Sequence, residues 1–159
     1  MGESIMLTVI KITDTKKYMG PGLELAIQAV HERGLNGVDF DKVDFYDKCK
    51  MLFVSPATHK WALIVNNELI GFILISLTQS LWVKTPFIDV LVCHIKPQYR
   101  NIETHQALLN AVYNFAKEKK VTEVNVKSDS MMLGKDNMSF LLKNGFAQTS
   151  ENWEKTIDY

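Results

Sequence analysis

The sequence predicts a single α/β domain built on a mixed sheet. Segments with strand character and helical segments follow each other without a linker or a low-complexity stretch, and one central segment is apolar throughout. The 159 residues have the length of one ordinary domain. A content of 47% apolar and 23% charged residues is typical of a folded globular protein. We therefore expect residues 1–159 to form one domain with one core.

The first third of the chain predicts a strand followed by two helices. The alternation of branched residues in Leu7–Ile12 predicts the strand. A first helix is expected from about Pro21 to Glu32, with Gly34 ending it. A second helix is expected after Asp41, which has the chemistry of an N-cap, and it should stop at Ser55-Pro56.

Three strands are predicted next. Trp61–Val65 and Leu69–Leu77 are β-like and flank Asn66-Asn67-Glu68, whose residues tolerate left-handed backbone, so the two segments should form a hairpin. Phe87–Ile95 is apolar along most of its length, as expected of a strand inside a sheet that is covered on both faces.

The clearest periodic signal predicts a helix from about Thr104 to Lys119, in which apolar residues recur at intervals of three and four. A short strand at Glu123–Val126, a short helix at about Asp136–Lys143 and a last strand at Trp153–Ile157 follow. The predicted order is β-α-α-β-β-β-α-β-α-β, which is an α/β (α+β mixed sheet) class.

Composition argues against several classes of function. Eighteen basic and eighteen acidic residues give a net charge of zero, which disfavours a nucleic-acid partner. No apolar segment approaches the ~18 residues that a membrane span needs, and the N-terminus has no signal pattern. Cys49 and Cys93 lie in apolar runs, which predicts buried free thiols and a cytoplasmic protein. The histidines and cysteines show no spacing typical of a metal site, so no metal is predicted.

Three segments, in this order, resemble the GNAT acetyltransferase superfamily. Asn67–Phe72 resembles the family's turn and a strand opening in Ile-Gly-Phe, Ile95–Arg100 resembles its coenzyme A segment, and Phe140–Phe146 resembles its closing helix with a Gly-Phe exit. The resemblance spans about four-fifths of the chain. It implies a GNAT-like fold, acetyl-CoA as cosubstrate and a small-molecule or protein amine as acceptor, and it leaves a homodimer open.

The resemblance also implies where acetyl-CoA binds. In this fold the strand that carries Val92–Ile95 separates from its neighbour, and its backbone holds the pantetheine arm as it would hold an added strand. The diphosphate lies on the N-terminus of the following helix. The residues implied in cofactor binding are Val92, Cys93, His94, Ile95, Gln98, Arg100, Asn101, Ile102, Glu103, Thr104 and His105.

The loop before that helix departs from the family pattern Gln/Arg-x-x-Gly-x-Gly/Ala. Asn101 and Glu103 replace both small residues. Asn101 is the milder change, because asparagine adopts left-handed backbone more readily than most residues. Glu103 satisfies the helix dipole and repels phosphate, although a glutamate at a helix start also serves stability alone.

The candidate base comes from the same resemblance. Phe87–Ile95 resembles the histone acetyltransferase branch, in which an acidic residue at the position of Asp89 acts as the base, and Thr104-His105 resembles that branch as well. His94 is a further candidate, as a proton relay, although a core or groove-lining histidine is the more frequent arrangement. Strand alternation predicts that it faces the same side as Val90 and Val92.

A general acid is missing from its usual place. The family's tyrosine before the Gly-Phe exit corresponds to Leu141, which has no proton to donate, so Tyr99 or Tyr113 would have to substitute. The leading hypothesis is therefore an acetyl-CoA-dependent N-acetyltransferase. The alternative is a GNAT-fold binding or structural protein, resembling GNAT-like proteins of bacterial viruses, that no longer uses CoA; an acyl-CoA sensor without turnover is a third hypothesis.

Overall fold

The computed structural model describes residues 6–32, 41–79, 81–82, 85–127 and 133–148. Its strands are β1 (Leu7–Lys11), β2 (Thr58–Val65), β3 (Glu68–Gln79), β4 (Pro86–Ile95) and β5 (Val124–Val126). Its helices are α1 (Thr15–Glu32), α2 (Lys42–Val54), α3 (Ile102–Lys119) and α4 (Asn137–Lys143), with 3-10 turns at Pro97–Tyr99 and Gly134–Asp136. The predicted last strand, Trp153–Ile157, and the predicted helix end at Gly34 lie outside the described residues.

The five strands form one sheet in the order β1-β2-β3-β4-β5. Neighbouring strands are antiparallel, except that β4 and β5 are parallel. Helix α3 covers one face and, with α4, encloses the larger hydrophobic core. Helix α1 covers the other face, where Leu25 packs against Phe72 and Leu74. The predicted mixed sheet is confirmed, and so is the interior position of β4.

A β-bulge interrupts β4 at Leu91. Leu74 of β3 pairs with Val92 and the next residue, Ile75, pairs with Val90, so Leu91 is the extra residue of the bulge. An extra residue shifts the alternation of the side chains. Val90 therefore faces the α3 side of the sheet, whereas Val92 and His94 face the α1 side. The prediction that His94 shares a face with Val92 is confirmed, and the prediction that it shares one with Val90 is wrong.

Helix α1 begins at Thr15, six residues before the predicted start at Pro21. Proline favours the first turn of a helix, and an interior proline gives up a backbone hydrogen bond, yet α1 continues through Pro21. Asp14, the residue before Thr15, supplies the start signal, since its side chain accepts a hydrogen bond from the Lys17 backbone N–H at 3.2 Å. Gly22, the residue after Pro21, faces α2, where Phe53 Cε2 would lie 3.4 Å from a Cβ atom at this position.

The second helix and the hairpin form as predicted. Asp41 caps α2 by accepting hydrogen bonds from the backbone N–H groups of Val43 and Asp44, and the helix ends before Ser55. Asn66 and Asn67 both have positive φ, 49° and 64°, which matches the twist of a two-residue hairpin turn. Cys93 is buried and forms no disulfide, as predicted, whereas Cys49 forms none but is only half-buried.

Gly71 sets how closely β3 and β4 approach each other. A Cβ atom at this position would lie 2.9 Å from the His94 carbonyl oxygen and 2.9 Å from Ile95 Cγ1. Only glycine leaves room for this approach, which gives the Ile-Gly-Phe segment a structural role in positioning the end of β4. In the part of the chain that the structure describes, no helix is long and apolar enough to cross a lipid bilayer.

Candidate functional site

β4 and β5 pair over a short distance only. The parallel pairing joins Ile88 to Val124, Asp89 to Asn125 and Val90 to Val126, and β5 ends at Val126. The bulge at Leu91 lies directly after the last pair. In the described part of the chain, no strand lies beside the second half of β4 on the edge opposite β3, and we call the space along this unpaired edge the cleft.

Backbone groups of β4 point into this cleft. The Lys96 N–H donates to the Ile70 carbonyl at 2.8 Å, so by the alternation of an antiparallel ladder the backbone N–H and C=O groups of Cys93 and Ile95 point away from β3, toward the opposite edge of β4. The Ile95 carbonyl on this edge accepts a hydrogen bond from Arg100 Nε at 2.7 Å. This is the edge along which an added strand or an amide-rich ligand could lie.

Helix α3 begins at the end of the same cleft with a reciprocal capping box. The Thr104 N–H donates to Asn101 Oδ1 at 2.9 Å, and the Asn101 N–H donates to Thr104 Oγ1 at 3.2 Å. The N–H groups of Ile102 and Glu103 remain as the first-turn donors that no intrahelical carbonyl can reach. Two donors, rather than four, are thus left at this helix start for an anion.

His105 belongs to the helix start as a buried structural residue. Its Nδ1 lies 2.8 Å from the Asn101 carbonyl oxygen, and its ring packs against Phe140 in a T-shaped arrangement. Burial lowers the pKa of His105 below its ordinary value; the hydrogen bond to the Asn101 backbone opposes this effect, and the nearby Arg100 adds to it. A neutral ring, with Nδ1 as the donor, fits this environment.

Arg100 is held by two partners. Besides the bond from Nε to the Ile95 carbonyl, its Nη2 lies 2.6 Å from Glu32 Oε2, at the C-terminal end of α1. The two side chains of this ion pair are only 17% and 28% exposed. The guanidinium group therefore ties the loop before α3 to the helix on the opposite face of the sheet.

A depression of about 570 Å³ lies at the α3 start. Its lining residues are Arg100, Asn101, Ile102, Glu103, Leu133 and Asp136. The carboxylates of Glu103 and Asp136 are exposed, whereas the one lining cation, Arg100, is already paired with Glu32. The depression has the position expected for a diphosphate, but its charged groups do not favour an anion.

Asp89 lies where β4 and β5 still pair, on the α1 face of the sheet. Ser76 of β3 and Asn125 of β5 are its register partners, so three polar side chains form a row across the sheet. Asp89 is half-buried, and within the described residues no hydrogen bond or ion pair engages its carboxylate. Ser76 bonds instead to Thr78, with 3.0 Å between the hydroxyl oxygens.

Comparison with known proteins identifies the fold. No protein-family model and no curated protein matches the sequence. Solved structures do match. One is a predicted acetyltransferase from Clostridium acetobutylicum that was solved with acetyl-CoA. Its TM-score is 0.73 at 17% sequence identity, and the match covers 95% of this chain and 96% of that chain. The chain has the GNAT fold.

Two further structures with this fold come from enzymes of different specificity. Ribosomal-protein-alanine N-acetyltransferase from Brucella melitensis biovar Abortus 2308 has a TM-score of 0.67 at 14% identity, with 97% of this chain and all of that chain (100%) covered. An aminoglycoside N-acetyltransferase in complex with CoA has a TM-score of 0.65 at 13% identity, with 100% and 97% covered. At such low sequence identities the similarity shows the GNAT fold and does not identify an acceptor substrate.

The remaining predicted residues fall into two groups. Gln98 and Ile102 are exposed beside the α3 start. His94 is fully buried, with its ring 6.5 Å from that of Phe72 on the α1 face. Val92 is half-buried on the same face, under α1. Thus the structure brings Arg100, Asn101, Ile102 and Glu103 to one depression, whereas the side chains of Val92 and His94 belong to the packing under α1.

The predicted substitutes for a GNAT general acid have other roles. Leu141 is buried in the larger core, as a leucine should be. Tyr113 donates a hydrogen bond to Asn144 Oδ1 at 3.2 Å, which links α3 to the end of α4, and burial raises the pKa of Tyr113. Tyr99 is half-buried against the same core, while its carbonyl accepts a bond from the Thr104 hydroxyl at 2.8 Å.

Sequence reasoning missed four residues of this region. Glu32, Ser76, Asn125 and Asp136 are ordinary polar residues in the sequence, and only the fold brings them beside Arg100, Asp89 and the α3 start. Among the residues that the structure describes, no group of three or more histidine, cysteine, aspartate or glutamate side chains is arranged to hold a metal ion.

Proposed function

We propose that this chain is an acetyl-CoA-dependent N-acetyltransferase that transfers the acetyl group directly to a small-molecule or protein amine. One observation carries the proposal: the described pairing of β4 with β5 ends directly beside Asp89, a half-buried carboxylate that no described partner engages. Solved proteins of the same fold support acetyl-CoA as the donor, since one was solved with acetyl-CoA and another with CoA.

The residues at the cleft fit the two parts of the donor unequally. The edge of β4 that carries Cys93 and Ile95 offers backbone donors and acceptors to the amides of a pantetheine arm. The α3 start offers the N–H groups of Ile102 and Glu103, together with the positive end of the helix dipole, to the diphosphate. The capping box and the lining carboxylates weaken this second half of the site.

Bound acetyl-CoA supplies an activated acetyl thioester. Asp89 accepts a proton from the ammonium group of the acceptor, and the resulting amine nitrogen forms a bond to the thioester carbonyl carbon. The carbon–sulfur bond then breaks, the thiolate leaves with the electron pair, and the nitrogen releases its second proton to solvent, which leaves a neutral amide. Leu91, the extra residue of the bulge, supplies a backbone N–H outside the regular ladder that can stabilise the developing negative charge on the carbonyl oxygen.

A protonating side chain is not required for the leaving group. Thiols have pKa values of about 8.5, so a thiolate is far more stable near neutral pH than an alkoxide and can leave unassisted. This fits the positions of Tyr113, which bonds to Asn144, and Leu141, which is buried in the core. The free thiols of Cys49 and Cys93 fit the reducing cytoplasm, where we propose that the protein works.

Titration with acetyl-CoA, followed by an assay of thiol release with a panel of amines, tests the proposal. We expect millimolar acetyl-CoA to raise the melting temperature. Asp89→Asn should lower turnover by roughly 10²-fold or more and leave the affinity for acetyl-CoA unchanged, because the carboxylate acts on the acceptor.

Asp47→Asn is the matched control, since Asp47 is an exposed carboxylate on α2 without an ion pair. If acetyl-CoA produces neither a heat of binding in the titration nor a rise in the melting temperature, the proposal as a whole is contradicted. Equal turnover in the Asp89 and Asp47 variants would contradict only the role of Asp89.

The second candidate function is binding of another macromolecule by a GNAT fold that no longer uses CoA. The contacts at the α3 start favour it: the capping box satisfies two backbone donors, Glu32 pairs with Arg100, and Glu103 and Asp136 line the depression. The same titration separates the candidates, because this one predicts no acetyl-CoA binding in the unmodified protein. Binding without turnover on any amine would instead favour a sensor of acyl-CoA.

A further inference from the structure

The ion pair between Glu32 and Arg100 is the least exposed of the three in the described chain. Its side chains are 17% and 28% exposed, whereas Lys48 and Asp44 are 69% and 57% exposed. Water and salt screen a partly buried pair less than an exposed one, so this contact has a larger energetic weight than an ordinary surface pair. It joins residues that are 68 positions apart in the chain.

Among the described residues, Arg100 is also the one cation that lines the depression at the α3 start. A diphosphate held by the N–H groups of Ile102 and Glu103 would lie beside its guanidinium group. Arginine binds phosphate through two parallel hydrogen bonds, and a carboxylate engages the same donors. Both pairs of donors that can bind a phosphate in this way, Nε with Nη2 and Nη1 with Nη2, include the Nη2 group that Glu32 occupies, so Glu32 and a doubly bonded diphosphate compete for it.

A second contact defines the position in which Glu32 holds Arg100. The Nε group donates to the Ile95 carbonyl, which lies on the edge of β4 that faces the cleft. The arginine side chain thus lies along the last part of the edge that the pantetheine arm would use. Turning the guanidinium group toward the diphosphate breaks the ion pair with Glu32.

We propose that Glu32 sets the affinity of the donor site, acting through Arg100 as an internal competitor of the donor's diphosphate. This inference rests on the proposed function, because it requires CoA to bind at the α3 start. In the free protein Glu32 pairs with Arg100. In the complex the diphosphate replaces Glu32, and the C-terminal end of α1 loses its link to the loop before α3.

Glu32→Gln tests this competition, because it removes the charge and keeps the shape of the side chain. We expect the dissociation constant for CoA, measured by calorimetry at low salt, to fall roughly 3- to 10-fold. A purely structural role for Glu32 would weaken binding or leave it unchanged. Glu24→Gln is the matched control, because Glu24 is an exposed residue of the same helix and forms no ion pair within the described residues. Its substitution should change the dissociation constant less than twofold, as expected for a distant screened charge.

Circular dichroism of each variant checks that the fold is retained, and Glu32→Asp provides a second test if Glu32→Gln folds poorly. The aspartate side chain is one methylene shorter and keeps the charge, so the dissociation constant of this variant for CoA should lie between those of the wild type and Glu32→Gln. If the wild type binds CoA and Glu32→Gln binds no more tightly than Glu24→Gln, the competition is refuted while the proposed function stands. If no variant binds CoA, both are refuted.

Discussion

Asn101→Ala is expected to change stability and donor affinity in opposite directions. The substitution removes Oδ1, the acceptor of the Thr104 N–H at 2.9 Å, from the start of α3. This 18-residue helix carries much of the larger core. Loss of an asparagine cap costs about 1 kcal/mol, which for a domain of this length lowers the melting temperature by about 2–4 °C.

The same change adds a donor to the proposed diphosphate site. The freed Thr104 N–H lies in the first turn of α3, beside those of Ile102 and Glu103. A hydrogen bond to a charged group contributes about 1.5 kcal/mol or more, which corresponds to a roughly tenfold lower dissociation constant for CoA. With CoA in large excess this gain offsets the lost cap, so the variant and the wild type should melt within about 1 °C of each other.

Thermal melting with and without CoA at one fixed concentration measures both effects. Asn114→Ala is the control, because Asn114 is an exposed residue of the same helix and caps nothing. The reasoning is refuted if CoA raises the melting temperature of Asn101→Ala no more than it raises that of Asn114→Ala. In that case the capping box and the diphosphate do not compete, and the donor does not lie where we propose.

Two further predictions concern the framework of the site. Gly71→Ala should destabilise the protein by about 1–3 kcal/mol in urea unfolding, because its methyl group would meet the His94 carbonyl at 2.9 Å. Gly20→Ala is the control and should not destabilise, because its methyl group meets nothing within 4 Å. Equal stability of the two variants would contradict this account. Because burial lowers the pKa of His105 below 6.5, the unfolded chain binds a proton more readily, so the stability that the neutral ring contributes is present above pH 6.5 and is lost as the pH falls toward the folded-state pKa. Urea unfolding between pH 7.5 and 5 should show a smaller loss for His105→Gln than for the exposed-residue control His31→Gln, and parallel pH profiles would refute it.

The elements that the sequence predicts well have local signals. Asp41 caps α2, and Asn66-Asn67 forms the hairpin turn, because a few neighbouring residues determine each backbone. The start of α1 was misplaced because Pro21 is a frequent first residue of helices but also survives inside one that tertiary packing supports. The bulge at Leu91 has no local signal, since its neighbours are apolar residues that suit a regular strand equally well.

The candidate site divides in the same way. Four site residues could be selected from the sequence, because they lie in a strand or at a helix start that the sequence predicts: Asp89, Asn101, Glu103 and Thr104. Glu32 could not, because the contact with Arg100 spans 68 residues and depends on how α1 lies across the sheet. The effect of Asn101 on the number of free backbone donors could not be predicted either, since its hydrogen bond from the Thr104 N–H depends on where the folded backbone places that group.

The difference between a working and a degenerate donor site is therefore small in energy. The capping box and the Glu32–Arg100 pair both stabilise the free protein, and a diphosphate must replace part of each. A tenfold change in affinity corresponds to 1.4 kcal/mol, which is about the contribution of one cap or one partly buried ion pair. Two such contacts can thus move a dissociation constant from micromolar to near-millimolar values while the strands, the cleft and Asp89 stay in place. A weak affinity for CoA would consequently not show that the chemistry has been lost, and turnover at saturating acetyl-CoA is the measurement that distinguishes the two states.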